Sequence, residues 1–118
     1  MEKILVPIDG SDRSQKSLDF IKQNFSNNDI EVTLINVGGD KNMNNTLETL
    51  KNKLTNYNVN TYLTFGHPGE KIIEKSIDGD FDSIIMTKST RKNFIDAIGS
   101  VTLYIVKKAK CTVIILPE

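Results

Sequence analysis

"KILVPIDGSDRSQKSLDFI", residues 3–21, decides the fold class. It opens on an apolar run, Lys3-Ile4-Leu5-Val6-Pro7-Ile8, of the kind a strand shows when both its faces are covered. Asp9-Gly10-Ser11-Asp12 breaks the run. Ser11 or Asp12 can cap the next helix, and Gln15 stands three residues after Asp12, as in a capping box. Leu18, Ile21 and Phe25 then mark one helical face. The rest of the chain repeats this alternation. Residues 30–37 form a second strand pattern, ended by Gly38-Gly39-Asp40. Leu47, Leu50, Leu54 and Tyr57 recur at helical spacing, and residues 59–65 alternate toward a third strand. After the turn cluster Gly66-His67-Pro68-Gly69, Pro68 suits a first helical turn, and Ile72, Ile73 and Ile77 supply an apolar face. Residues 81–86 are a fourth strand. Gly99-Ser100 opens a last helix with Val101, Leu103, Tyr104 and Val106 inward, and residues 111–116 are a fifth strand. Strands alternating with helices predict an α/β fold: a parallel sheet covered on both faces, in a single domain spanning residues 1–118.

Composition narrows the function classes. Fifteen basic residues balance fifteen acidic ones, which argues against a nucleic-acid binder that works by phosphate neutralisation, and against a polybasic membrane surface. No apolar run approaches the roughly 20 residues of a membrane span. The chain opens on a strand pattern without a signal peptide, and Cys111 is its single cysteine. A reduced, cytoplasmic setting is the expectation. His67 sits in a turn with no cluster of metal-ligating residues around it, and Cys111 reads as a buried structural thiol.

The junction "MTKSTRKNFIDAIGS", residues 86–100, raises the functional question. A strand–loop–helix connection of this kind often cradles a phosphate, usually through glycines. This one carries Thr87, Thr90, Ser89 and the cations Lys88, Arg91 and Lys92, with glycine only at Gly99.

Together with the opening stretch, "DSIIM" before this loop, "IGSV" at the helix start, "GHPGEKI" and "KKAKCTVIILPE" resemble the universal stress proteins, in order and along the whole chain. The chain is shorter than is usual for that family, and the missing length falls between the second strand and second helix. The resemblance implies a three-layer sandwich with strand order 3-2-1-4-5. In that order the first and fourth strands meet at a switch point, where open α/β sheets bind ligands. It also implies a nucleotide crevice made by Pro7, Asp9, Val37, Thr87, Lys88, Gly99, Ser100 and Val101. ATP-binding members resemble Gly-x-x-Gly, nine residues, then Gly-Ser or Gly-Thr in this loop. Here both leading glycines are threonines, Thr87 and Thr90, and the gap to Gly99 is eight residues. A branched Cβ blocks the close backbone approach and positive φ that glycine permits. What persists is Gly99-Ser100 at a helix start.

Each candidate also has a plain structural reading. Ser100 can be a helix N-cap, Asp9 can bond its own turn, and Lys88, Arg91 and Lys92 can be a solvated basic loop. A phospho-acceptor receiver is disfavoured: one acid follows the first strand, Phe65-Gly66 ends the third, and no lysine ends the fifth. No nucleophile–base pair or carboxylate dyad points to an enzyme. The expectation is a non-catalytic stress-response protein with no cofactor, acting through dimerisation or protein contacts without tight ATP binding; the alternative is an adenine-nucleotide binder using ATP with Mg²⁺. The resemblance implies a homodimer that pairs Thr112, Val113, Ile114, Ile115 and Leu116 across a two-fold axis. That run has no charge to discourage pairing at a sheet edge.

Overall fold

The computed structural model describes residues 1–88 and 100–117. Nine elements follow one another: β1 Glu2–Pro7, α1 Arg13–Asn24, β2 Ile30–Val37, α2 Asn42–Lys53, β3 Asn58–Thr64, α3 Pro68–Asp78, β4 Ser83–Thr87, α4 Ser100–Lys108 and β5 Thr112–Leu116. The five strands form one sheet in the order β3-β2-β1-β4-β5. Every neighbouring pair is parallel. This is the topology expected from the alternation and the resemblance.

Period-two alternation on the strands divides the core. Ile4, Val6, Val32, Leu34 and Ile85 face one way and pack with Leu18 and Ile21 of α1 and Leu47 and Leu50 of α2. Leu5, Ile35, Ile84 and Met86 face the other way and pack with Ile72 and Ile73 of α3 and Ile105 of α4. Each face of the sheet thus carries two helices. Strands buried on both faces read as near-continuous apolar runs, which is why β1 and β4 were legible, and β2 despite Thr33 and Asn36.

The helices differ from expectation where their faces were assigned. On α4 the fully buried residue is Ile105, with Val101 and Tyr104 packed beside it. Leu103 and Val106, expected inward, are 53% and 52% exposed. The inward stripe is 101, 104, 105: the i, i+3, i+4 set of a helix that touches the sheet along one line. On α3, Ile77 is likewise exposed. The side chain of Asp12 makes no capping bond to α1. Gln15, the expected capping-box partner, instead donates to Asp19 and accepts from Lys53. At α3 the cap is His67, whose Nδ1 accepts from the Glu70 N–H at 3.2 Å, with Pro68 opening the helix as expected. Cys111 is half-buried and precedes β5, and burial pushes its thiol pKa up.

β1 and β4 share only two register pairs, Ile4 with Ser83 and Leu5 with Ile84, and then part. The proline explains where they part. The Ile8 N–H donates to Ile35 on the β2 side at 2.8 Å. Strand residues alternate sides, so the preceding position faces β4, and Pro7 has no N–H to offer it. The separation leaves a crevice between the carboxyl ends of the two strands.

A candidate ligand cavity at the switch point

A cavity of about 710 Å³ occupies that crevice. Ligands in open α/β sheets bind at this place, where crossovers diverge on either side of two adjacent strands. On the α3–α4 side of the sheet its wall is apolar: Ile35 and Val37 from β2, Ile72 from α3, Met86 from β4 and Val101 from α4. The other wall is polar: Asp9, Arg13, Ser14, Ser17, Asn36 and Thr87.

The β1 side is a turn held by side chains. Gly10 has φ +85°, a conformation that costs an L side chain energy. Its turn is closed by Asp9, whose Oδ1 accepts from the Ser11 N–H at 2.9 Å and from the Ser11 hydroxyl at 2.6 Å. The other carboxylate oxygen is paired with the Arg13 guanidinium. Burial alone would raise the Asp9 pKa, but the Ser11 hydrogen bonds and Arg13 outweigh it and leave the carboxyl below its ordinary value. Behind this turn lies Asn36, a buried amide in an apolar strand. Its Nδ2 donates to the Ile8 carbonyl at 2.7 Å, and its Oδ1 accepts from the Gly39 N–H at 2.9 Å. It ties the ends of β1 and β2 together.

The β4 side is built differently. Thr87 belongs to the strand, in register with Leu116 of β5, rather than to the loop where the sequence placed it. The Lys88 N–H extends the same ladder by donating to the Leu116 carbonyl at 3.0 Å. The Thr87 hydroxyl lies 2.9 Å from the hydroxyl of Ser17, which is buried on α1.

The fold therefore brings Pro7, Asp9, Val37, Thr87 and Val101 onto one cavity. Lys88 and Ser100 are exposed and do not belong to its lining; Ser100 is the first residue of α4. Gly99, Thr90, Arg91 and Lys92 lie outside the described residues. Arg13, Ser14, Ser17, Asn36, Met43 and Ile72 line the cavity without having been singled out as site residues in the sequence. Asn36 carried a signal, as an amide inside "IEVTLINV". Arg13 and Ser17 carried none that separates them from surface polar residues of an amphipathic helix.

The sequence model of the universal stress protein family matches residues 40–117, two-thirds of the chain. The chain belongs to that family. Solved structures agree on the fold over the full length. Hypothetical protein MJ0577 is 25% identical, with a TM-score of 0.88, and the match covers 99% of this chain and 96% of that one. A universal stress protein from Archaeoglobus fulgidus in complex with dAMP is 20% identical, with a TM-score of 0.74 and coverage of 98% and 97%. A universal stress protein family protein from Arabidopsis thaliana with AMP bound is 15% identical, with a TM-score of 0.78 and coverage of 100% and 92%. No curated protein sequence matches the chain. Among the described residues of this universal stress protein, no helix is long and apolar enough to cross a membrane. Nor do three or more metal-ligating side chains gather at one point among them.

Proposed function

We propose that this universal stress protein is a non-catalytic, cytoplasmic stress-response protein that acts by reversible binding and does not hold ATP tightly. The observation that carries this reading is the β4 end of the crevice. A glycine-lined phosphate cradle needs free backbone N–H groups and room for the phosphate to approach them. Here the Lys88 N–H is spent on Leu116 and the Thr87 side chain is spent on Ser17. A triphosphate at this end would meet the branched, already hydrogen-bonded Thr87 side chain where the ATP-binding members carry glycine. The first test is thermal: ATP with Mg²⁺ at about 1 mM should leave the melting temperature nearly unchanged. A Kd of about 1 μM would instead stabilise the fold by about 4 kcal/mol, which no melting curve would miss, and would refute the reading.

The cavity itself favours a smaller ligand. Its volume lies inside the roughly 300–1,000 Å³ of typical small-molecule sites, and one wall is apolar, as a flat ring requires. Neighbours of the same fold hold AMP and dAMP. A nucleoside monophosphate is the ligand class proposed.

The second part of the reading is a homodimer through β5, the strand at one edge of the sheet. Ile114 and Leu116 pack toward α1 and α2, while Val113 packs toward α4. Ile115 remains 36% exposed, and α4 carries the exposed Val106 and Leu103. An apolar strand edge without charge is a template for a second copy. Light scattering across concentration should show a dimer that Ile115→Lys dissociates. Wild-type protein that stays monomeric at about 100 μM would refute the pairing, since weak specific pairs form at micromolar Kd.

A further inference from the structure

We propose that Arg13 is the residue that recognises the anionic group of the cavity's ligand, so that the site selects a phosphomonoester over the corresponding neutral nucleoside. The proposal rests on the reading of the cavity as a small-ligand site and assigns the chemistry of its polar wall.

Three observations converge on Arg13. First, its side chain is only 17% exposed although it is the first residue of a surface helix. A guanidinium held this far out of water keeps its position only if something compensates its charge. Second, it lines the cavity beside Ser14, Ser17 and Thr87, opposite Ile35, Ile72 and Val101. Third, its compensation is partial. Among the described residues Asp9 is the only hydrogen-bond and ion-pair partner of its guanidinium, and a single nitrogen makes that bond. A guanidinium carries five N–H donors in a planar fork shaped for two oxygens at once. The other guanidinium donors have no partner among the described residues, and the residue lines the cavity.

Asp9 points the same way. Both of its oxygens are occupied from within its own turn, one by Ser11 and one by Arg13. A ribose diol would find the carboxylate already satisfied in part and held beside a guanidinium. A phosphate would meet that guanidinium directly. Asp9 then acts as a positioning residue: it holds the fork at the cavity wall and balances its charge while the site is empty. Low-dielectric apolar surface across the cavity strengthens an ion contact on the polar side.

Calorimetric titration with AMP, adenosine and inorganic phosphate tests the assignment on wild-type protein and on Arg13→Gln and Arg13→Lys. Wild-type protein should bind AMP about tenfold or more tightly than adenosine, the factor that one charge-assisted hydrogen bond contributes. Arg13→Gln should abolish that preference and leave adenosine affinity unchanged. Arg13→Lys, which keeps the charge but loses the fork, should retain part of it. Inorganic phosphate should compete with AMP in the wild type and fail to compete where adenosine is the ligand. Equal binding of AMP and adenosine to wild-type protein would overturn the role of Arg13 and leave the cavity reading intact. So would a parallel loss of both ligands in Arg13→Gln, which marks a residue that merely shapes the turn. Failure of both AMP and adenosine to bind at about 10 mM, beyond the millimolar range of weak specific sites, would overturn the cavity reading and this assignment together.

Discussion

The two strand ends that face each other across the crevice solve the same problem in opposite ways. At the end of β1 the backbone leaves the sheet at once. Pro7 stops the ladder toward β4, Gly10 turns at positive φ, Asp9 and Asn36 satisfy backbone groups the ladder no longer reaches, and Arg13 pairs with Asp9. At the end of β4 the backbone stays in the sheet two residues longer than expected. Thr87 and Lys88 are held by β5, and the part-buried Thr87 hydroxyl is answered by Ser17. On the proposed reading the first end leaves one group, the Arg13 guanidinium, for a ligand, while the second has used its hydroxyl on the fold. The sheet topology sets the shape of such a crevice, and the side chains at the strand ends set which wall can carry ligand chemistry.

If the β1 end depends on side chains in this way, breaking them should cost most. Asn36→Ala leaves the buried Ile8 carbonyl and the half-buried Gly39 N–H without their side-chain partner. The expected loss is about 3 kcal/mol in urea unfolding, a drop of roughly 10 °C in Tm. A loss below about 1 kcal/mol would mean that water replaces the amide and the turn is not held as described.

Gly10→Ala probes the same turn through the backbone. The new Cβ would stand 3.1 Å from the Met43 methyl, which can move, but the φ of +85° cannot be relieved without opening the Asp9–Ser11 turn. The expected cost is about 1–2 kcal/mol. Unchanged stability would show that the turn refolds at little cost.

At the β4 end the corresponding change should be milder. Thr87→Val keeps the strand shape and removes only the hydroxyl, leaving Ser17 to find a carbonyl on its own helix. About 1 kcal/mol is expected by chemical denaturation. A loss as large as that of Asn36→Ala would erase the contrast between the two ends.

The smallest effect is the titration of Asp9. Its folded pKa lies below the ordinary 3.8, so its contribution is fully present above that value and is lost as pH falls through the lower folded pKa. Asp9→Asn keeps an acceptor for Ser11 but no charge for Arg13. The stability gap between wild type and Asp9→Asn should be constant near neutrality and close below pH 3.8. Because the carboxylate is 53% exposed, the gap should be small, on the order of 0.5 kcal/mol. A gap that widens on acidification would reverse the sign of the argument.

Much of this protein is determined by its sequence alone. The apolar runs of β1 and β4 follow from burial on both faces of a parallel sheet, and the helical stripes between the strands select that arrangement. Their alternation with helical stripes leaves few topologies, and the position of Pro7 already marks where the first strand must leave the sheet. The tertiary structure decided the rest. Whether Thr87 is loop or strand depends on Leu116, whose ladder partner cannot be read locally. Whether Leu103 or Ile105 is buried depends on which line of α4 meets the sheet, since the helix is apolar on more than one side. Asp9 and Arg13 stand four residues apart, a spacing the sequence displays, but that Arg13 lines one cavity with Ile72, Thr87 and Val101 comes from elements far apart in the chain, and local periodicity carries no record of that.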